Sequence, residues 1–478
     1  MSIQSAWQGT FSFLDGLPIV VEPSAALLTS DAGLLPFREL DQRLHLTEQF
    51  AQALDDPRDP ELVSHTFLEM TRSRVYGVLA DYEDQNDHDA LRADPTFKLI
   101  AGRAPDGPDL ASQPTHSRFE NAISVRSLFR LRDVFIDQFI ASFATAPKHL
   151  TLDIDAVDDP AHGEQQLVLF HGYFEQYQYF PSFITCPDND QVVVLSLRPG
   201  AVHAALGADD DLEHLVNRLR QSWPDVRFHV RGDAGYGMPW MYAVCERLGV
   251  DYTFGLSSNA VLKRHTEGLV EWAEASFDAT GQPQRLFEAF WYQAGSWEHA
   301  RWVIVKAEAN ALGTNRRFIV TNRPGAQVLP EATYDDYAAR GESENRNKEL
   351  KCGLSIDRTS DHRFMANFFR LYLHGLAYNL LVRLRRAVAS PPPPELPEPP
   401  AEALDGRARR KHFSRRRAHD PLGEGQPCTW RSLLIKVAAE VVVSTRRIVV
   451  RLCGTWPYLD WYRRVCQHLQ SQALESTG

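Results

Sequence analysis

The sequence predicts a mixed α/β fold: a mixed sheet flanked by helices, preceded by a helical region and interrupted by a β-rich stretch. Three observations predict it. Apolar residues repeat at helical spacing through residues 24–145. At residue 150 the pattern turns to short β-rich runs bounded by turn residues. Those runs then give way to alternating helix and strand signals, the pattern of a sheet with helices on its faces.

In the first region, Leu34, Leu35, Phe37, Leu40 and Leu44 share one helical spacing, and Val63, Phe67, Met70, Val75 and Val78 another. The pattern breaks at 106–114, and a further helix begins near Ser117 with Ser112 or Thr115 as its cap. Short polar donors and Arg118 at that helix start suit DNA phosphates, although a capped helix with an exposed face is the plainer reading. Strands are expected at 150–157, 166–174, 177–185, 191–197, 226–230 and 250–254, with helices at 212–223 and 239–248. Within 257–330 the strand-like runs 286–291, 302–305 and 317–321 have irregular connections and fit a β-rich insertion. Helical residues resume at 334–350, and 364–386 reads as a long amphipathic helix. The run 390–400 holds too many prolines to fold compactly and is expected to be an extended linker. The last piece, 429–469, has both helix and strand propensity.

A chain of 478 residues is long enough for two to four domains, and 44% hydrophobic with 24% charged residues suits a globular core. No apolar run approaches the roughly 18 residues of a membrane span. The first residues lack the basic start and apolar stretch of a signal peptide, so a cytoplasmic protein is expected. Six scattered cysteines without a Cys-x-x-Cys pair imply neither a disulfide framework nor a zinc site. The net charge of −11 argues on average against nucleic acid. The cations cluster, however: Arg407, Arg409, Arg410, Lys411, Arg415, Arg416 and Arg417 lie within eleven positions, a segment expected either to meet DNA phosphates or to be solvated linker.

The chemistry rests on a spacing. Tyr337, Arg340, Glu344 and Lys351 stand at i, i+3, i+7 and i+14. On a regular helix the last three fall at about 300°, 340° and 320° from Tyr337, so all four share about 60° of arc. That face is polar, where a core-facing one would be apolar; a solvated face with an Arg340–Glu344 pair is the plainer reading. Two further acids weigh against it. Asp155 sits near the end of a strand, and Asp233 follows another in a glycine-rich turn. Asp153, on the same strand face as Asp155, is the second choice for that position. Mg²⁺ takes carboxylate oxygens, and two ions about 3.5–4 Å apart can activate an attacking oxygen and stabilise a leaving one at phosphorus. Three carboxylates from two strands and a helix suffice to hold them. Arg340 and Lys351 would then grip a DNA backbone.

The spacing Tyr-(2)-Arg-(3)-Glu-(6)-Lys, with LDIDAVDDPAHG, VRGDAGYG and YAARGESENRNKELK in that order, resembles bacterial insertion-sequence transposases of the DDE type. The resemblance covers roughly residues 30–385 and implies a ribonuclease-H-like catalytic core. It implies metal-dependent phosphodiester hydrolysis at terminal inverted repeats, then strand transfer into target DNA by the freed 3′-hydroxyl. Asp155, Asp233 and Glu344 would be catalytic metal ligands for two Mg²⁺ ions, with Mn²⁺ able to substitute. Tyr337, Arg340 and Lys351 would contact DNA, joined by Arg118 and by Arg409, Arg410, Lys411, Arg415 and Arg416. The implied organisation is a helical DNA-end-binding domain at 1–145, a catalytic domain at 146–388 with the insertion at 257–330, a linker at 389–425 and a C-terminal segment at 426–478. A bacterial, cytoplasmic homodimer on DNA, with no membrane partner, is implied as well. One departure stands out: the family's Thr two residues after the first Asp is Val157 here.

Other signals bear weaker readings. Trp291, Trp297 and Trp302 offer stacking for a flipped base but equally fit a core. Gly232–Gly237 resembles a phosphate loop without its Lys-Ser/Thr. His162 is either an assistant at the site or a turn residue. Two competing functions are an inactive, DNA-binding descendant of a transposase and a haloacid-dehalogenase-like phosphatase. In the phosphatase Asp153 would be the nucleophile and Asp155 the general acid.

Overall fold

The computed structural model describes residues 7–13, 17–161, 163–391 and 406–475, with the backbone alone at 406–410, 412–413 and 472–475. At its centre is an eight-stranded mixed sheet. Its strands are numbered here in chain order: β1 (His149–Ala156), β2 (Ser182–Thr185), β3 (Val192–Ser196), β4 (Arg227–Gly232), β5 (Asp251–Leu256), β6 (Gln284–Tyr292), β7 (Arg301–Asn310) and β8 (Gly313–Thr321). The spatial order is β6-β7-β8-β5-β4-β1-β2-β3. β1, β4 and β5 run parallel, and every other pairing is antiparallel. A large mixed sheet flanked by helices is what the sequence predicts, and it is consistent with a ribonuclease-H-like core.

The strand pattern sets which face does what. Along β1, Leu150, Leu152 and Ile154 enter the apolar core under the sheet, beside helices Ala208–Ser222 and Pro239–Leu248. Side chains alternate across a strand, so Asp153 and Asp155 are sent to the opposite face. On β3 both faces are covered, and Val192 to Leu195 are all buried.

The helix Phe364–Val388 buries nineteen of its 25 residues, so it is a central helix and not the amphipathic one expected. It is wrapped by β3, by the N-terminal helices and by the C-terminal segment, whose apolar side chains all share its core. Asn379 on this helix bonds both backbone groups of Val192, the N–H to Oδ1 at 3.0 Å and Nδ2 to the carbonyl at 2.8 Å, covering the sheet edge.

Two helices, Ala260–His265 and Glu267–Thr280, occupy the stretch expected to hold only irregular connections. Their signal is Leu269, Val270, Ala273 and Phe277 at helical spacing, packed against Ala307 and Ala309 of β7. The strands after them continue the central sheet through β8 against β5.

The C-terminal segment is built into the N-terminal region. Strand Ala439–Val443 pairs with Ile448–Leu452 and with Leu28–Thr29. Trp430 is fully buried edge-on to Phe37, ring centroids 5.6 Å apart. Gly33 permits the close approach of the chain after Trp430: a Cβ there would stand 1.8 Å from the Leu434 carbonyl oxygen. Residues 392–405, which hold most of the proline-rich run at 390–400, lie outside the described residues, as does His162. Residues 406–419 form a helix that carries the basic cluster.

Candidate active site

The site forms at the C-terminal ends of the parallel strands β1 and β4. Their register pairs Arg231 with Asp153 and Gly232 with Ile154, so the next residue, Asp233, leaves the sheet beside Asp155. Asp233 is fixed by its own turn, with Gly235 N–H donating to its Oδ1 at 2.9 Å. Gly255 on β5 lets this turn close. A Cβ there would stand 2.6 Å from Ala234 N and 2.9 Å from the Tyr337 hydroxyl.

Above this face lie α1 (Pro330–Ala338) and α2 (Gly341–Lys348), followed by a wide π-helical turn at Glu349–Gly353. The continuous helix expected through 334–350 is thus interrupted at residues 339–340. Gly341, costly inside a helix, starts the second piece. The even angular spacing drawn for Tyr337, Arg340, Glu344 and Lys351 therefore does not hold along the whole stretch.

Three of the four nevertheless reach the site. Arg340 Nη1 is 3.5 Å from Asp155 Oδ2, with its guanidinium carbon 5.9 Å from the Tyr337 ring centroid. Lys351 Nζ bonds Asp158 Oδ1 at 2.8 Å and the Asp158 carbonyl at 2.9 Å. Glu344 is exposed on α2, and one turn later Asn347 donates Nδ2 to Asp155 Oδ2 at 2.9 Å. Asn347 is a site residue that sequence reasoning missed. Its signal was present: it lies three residues after Glu344, about 60° away on the same side of the helix.

Asp153 and Asp155 differ sharply although they share a strand face. Asp153 is buried, and Arg231 donates to its two oxygens at 2.7 and 3.0 Å. Arg346 on α2 adds a third bond to Asp153 at 2.5 Å and bonds Thr185 Oγ1 at 3.2 Å. This network ties α2 to β1 and β2 and leaves Asp153 no free oxygen for a cation. A nucleophile needs access as well, so the phosphatase reading loses its central residue. Asp155 has weaker support. Burial raises its carboxyl to about 6; the Arg340 charge pulls it back, while the Asp233 and Glu344 charges push it further up.

Two mutually repelling, part-buried carboxylates are a donor set suited to a hard divalent cation, whose charge would relieve that repulsion. Asp155 and Asp233 fit such an ion. Glu344 contributes its field from an exposed position, and among the described residues no three acids, histidines or cysteines already form a metal cluster. Val157 packs at the edge of the apolar core, where the valine methyls suit their surroundings.

The other candidates are scattered. Arg118 is exposed, its Nε bonded to the Pro114 carbonyl at 3.0 Å, on a helix whose N-cap position is Ser112. Lys411 and Arg415 are exposed on the 406–419 helix, and Arg416 pairs with Glu424. The side chains of Arg409 and Arg410 lie outside the described residues. Trp291 is exposed and stacks on Trp302 with centroids 4.3 Å apart. Trp297 is a core residue against Tyr242. Gly232–Gly237 shapes the Asp233 turn. Among the described residues, no helix is long and apolar enough to cross a membrane.

Residues 11–392 match the family model described as Transposase DDE domain group 1. No curated protein matches the sequence.

Proposed function

Since the chain belongs to the DDE transposase family, whose members act on DNA and use divalent metal ions, we propose that it cleaves phosphodiesters at its element's terminal inverted repeats and transfers the freed strand into target DNA. The observation that carries this reading is the meeting of Asp155 and Asp233, from adjacent parallel strands, with Arg340 and the Glu344-bearing helix above them. Asp155 and Asp233 would hold the metal, with Glu344 completing the set from α2. Two Mg²⁺ ions, replaceable by Mn²⁺, would supply charge neutralisation and an activated oxygen.

The remaining steps fall to the chain's own groups. Arg340 faces the place where phosphate charge gathers, beside Tyr337, and a guanidinium fork suits two phosphate oxygens. Lys351, held by Asp158, offers a point charge to the adjoining backbone. Asn347 holds Asp155 in place on the metal-free face. Hydrolysis breaks the bond from phosphorus to the 3′ oxygen, leaving a 3′-hydroxyl and a 5′-phosphate. That hydroxyl then attacks a target phosphodiester, and the displaced oxygen takes the proton.

Wild-type protein and a Glu344→Gln variant, incubated with labelled element ends in Mg²⁺ or EDTA, test the reading. Metal-dependent nicking by wild type, lost in the variant while DNA binding persists, is the expected result. Binding without nicking by wild type would favour a non-catalytic descendant. Equal nicking by both proteins would remove Glu344 from the ligand set.

A further inference from the structure

Residues Gly9–Phe11 and Ile19–Val21 form an antiparallel hairpin that is a two-stranded sheet by itself. Its side-chain hydrogen bond, Gln8 Nε2 to Glu22 at 3.1 Å, closes within the arm. Its apolar side chains face outward: Trp7 is 64% exposed, Phe11 52%, Phe13 82%, Leu17 70%, Val20 47% and Val21 43%. Among the described residues, none of these six belongs to an apolar cluster of the core. An isolated two-stranded hairpin is marginal in water, and a third strand with a covered apolar face is ordinarily needed. Apolar residues gathered in this way mark a contact surface.

The arm's charge says what it contacts. The first 37 residues contain no Lys, Arg or His, while Asp15, Glu22 and Asp31 are present. Phosphate neutralisation needs cations, so neither nucleic acid nor an anionic membrane surface suits this segment. The partner must be apolar and must offer an extended face of similar size. The arm itself has both properties, and a two-fold axis sets any patch against its own copy.

We propose that this hairpin lays its apolar face against the same face of the hairpin of a second copy of the chain, forming a two-layered intermolecular sheet. The area is adequate. A large aromatic side chain buries roughly 150–250 Å². Three of them with Leu17 and Val21 on the same face, at the exposures above, therefore offer on the order of 500–700 Å² per arm. Counted on both copies this approaches or reaches the roughly 1,200–2,000 Å² of a stable interface. The pairing needs no DNA, so it stands or falls separately from the cleavage reading.

The experiment uses the full chain without DNA, in sedimentation over a range of concentrations, beside a Trp7→Ser/Phe13→Ser double variant. The wild type is expected to be a dimer at micromolar concentration. Removing two aromatic anchors should raise the dissociation constant at least about 100-fold and leave the thermal midpoint at that of wild type diluted to its monomer, since neither residue is in a core. Hydrogen exchange gives a second readout: the amides of 9–11 and 19–21 should become more protected as wild-type concentration rises. A wild type that stays monomeric, or a variant that dimerises as tightly, would overturn the proposal. So would protection independent of concentration, which would place the arm on its own chain, or protection appearing only with DNA.

Discussion

Asp153 and Asp155 stand two residues apart on one face of β1, yet neutralising them is expected to move stability in opposite directions. Asp153 lies between the guanidiniums of Arg231 and Arg346, all three buried. Asp153→Asn removes the charge both cations face and leaves Arg231 only Asp336 at 3.8 Å and Arg346 only Asp190 at 3.4 Å, which costs about 3–5 kcal/mol. Asp155 has one loose cation, Arg340 at 3.5 Å, and feels the charges of Asp233 and Glu344. Burial first, then those charges, raises its carboxyl from the ordinary 3.8 to about 6. At about 1.4 kcal/mol for each pH unit, ionised Asp155 weakens the metal-free fold by about 2–3 kcal/mol. A carboxyl whose folded value is raised exacts nothing below the unfolded value of 3.8. Its cost grows from there to about 6 and stays constant above. Asp155→Asn should therefore raise the thermal midpoint in EDTA at pH 8 and leave it unchanged at pH 4. Asp153→Asn should lower the midpoint at pH 8. Mn²⁺ should stabilise the wild type and not Asp155→Asn. Thermal unfolding followed by circular dichroism reads all of these. If both variants destabilise alike in EDTA at pH 8, Asp155 is as well satisfied as Asp153, and the repulsion argument is wrong.

Acid should loosen the helical region. His88, His116 and His374 are buried, and burial holds all three low, His116 and His374 to about 3. Their contribution is intact above the unfolded value of 6.5 and is lost as pH falls below it, by about 1.4 kcal/mol per histidine at pH 5.5. A His116→Gln variant should lose correspondingly less stability between pH 7.5 and 5.5, and an identical loss would contradict the cause. Trp430→Ala should cost about 3–5 kcal/mol, because this ring joins the C-terminal segment to the N-terminal helices. A change under about 1 kcal/mol in urea unfolding would show the two parts to be energetically separate. Lys411→Ala with Arg415→Ala should weaken DNA binding uniformly across sequences and lower the salt slope by roughly one per cation removed. An unchanged slope would place that helix away from phosphate.

Much of the fold was legible because strand and helix periods are local. The pattern at 150–157 gave β1 and that at 239–248 gave a helix, while the β-rich runs after 280 gave three strands whose position in the central sheet no local pattern encodes. Two helices at 260–280 were hidden behind the strand-like runs that follow them. The 364–388 helix read as amphipathic because its polar residues, among them Asn367, Arg370, His374, Asn379 and Arg385, looked solvent-facing. Each is buried, and each has a hydrogen-bond partner elsewhere in the chain that sequence cannot reveal.

For the candidate site, the sequence by itself determined the acids, their order, and the Tyr-Arg-Glu-Lys spacing, since these depend only on residue identity and distance along the chain. It also determined that Asp153 and Asp155 share a strand face, which follows from the two-residue period. Only the tertiary structure decided between them. Arg231, 78 residues away, and Arg346, 193 residues away, close on Asp153 and leave Asp155 to Arg340 and Asn347. Which of two equivalent carboxylates is neutralised depends on where distant cations are brought by packing, and no local pattern carries that information.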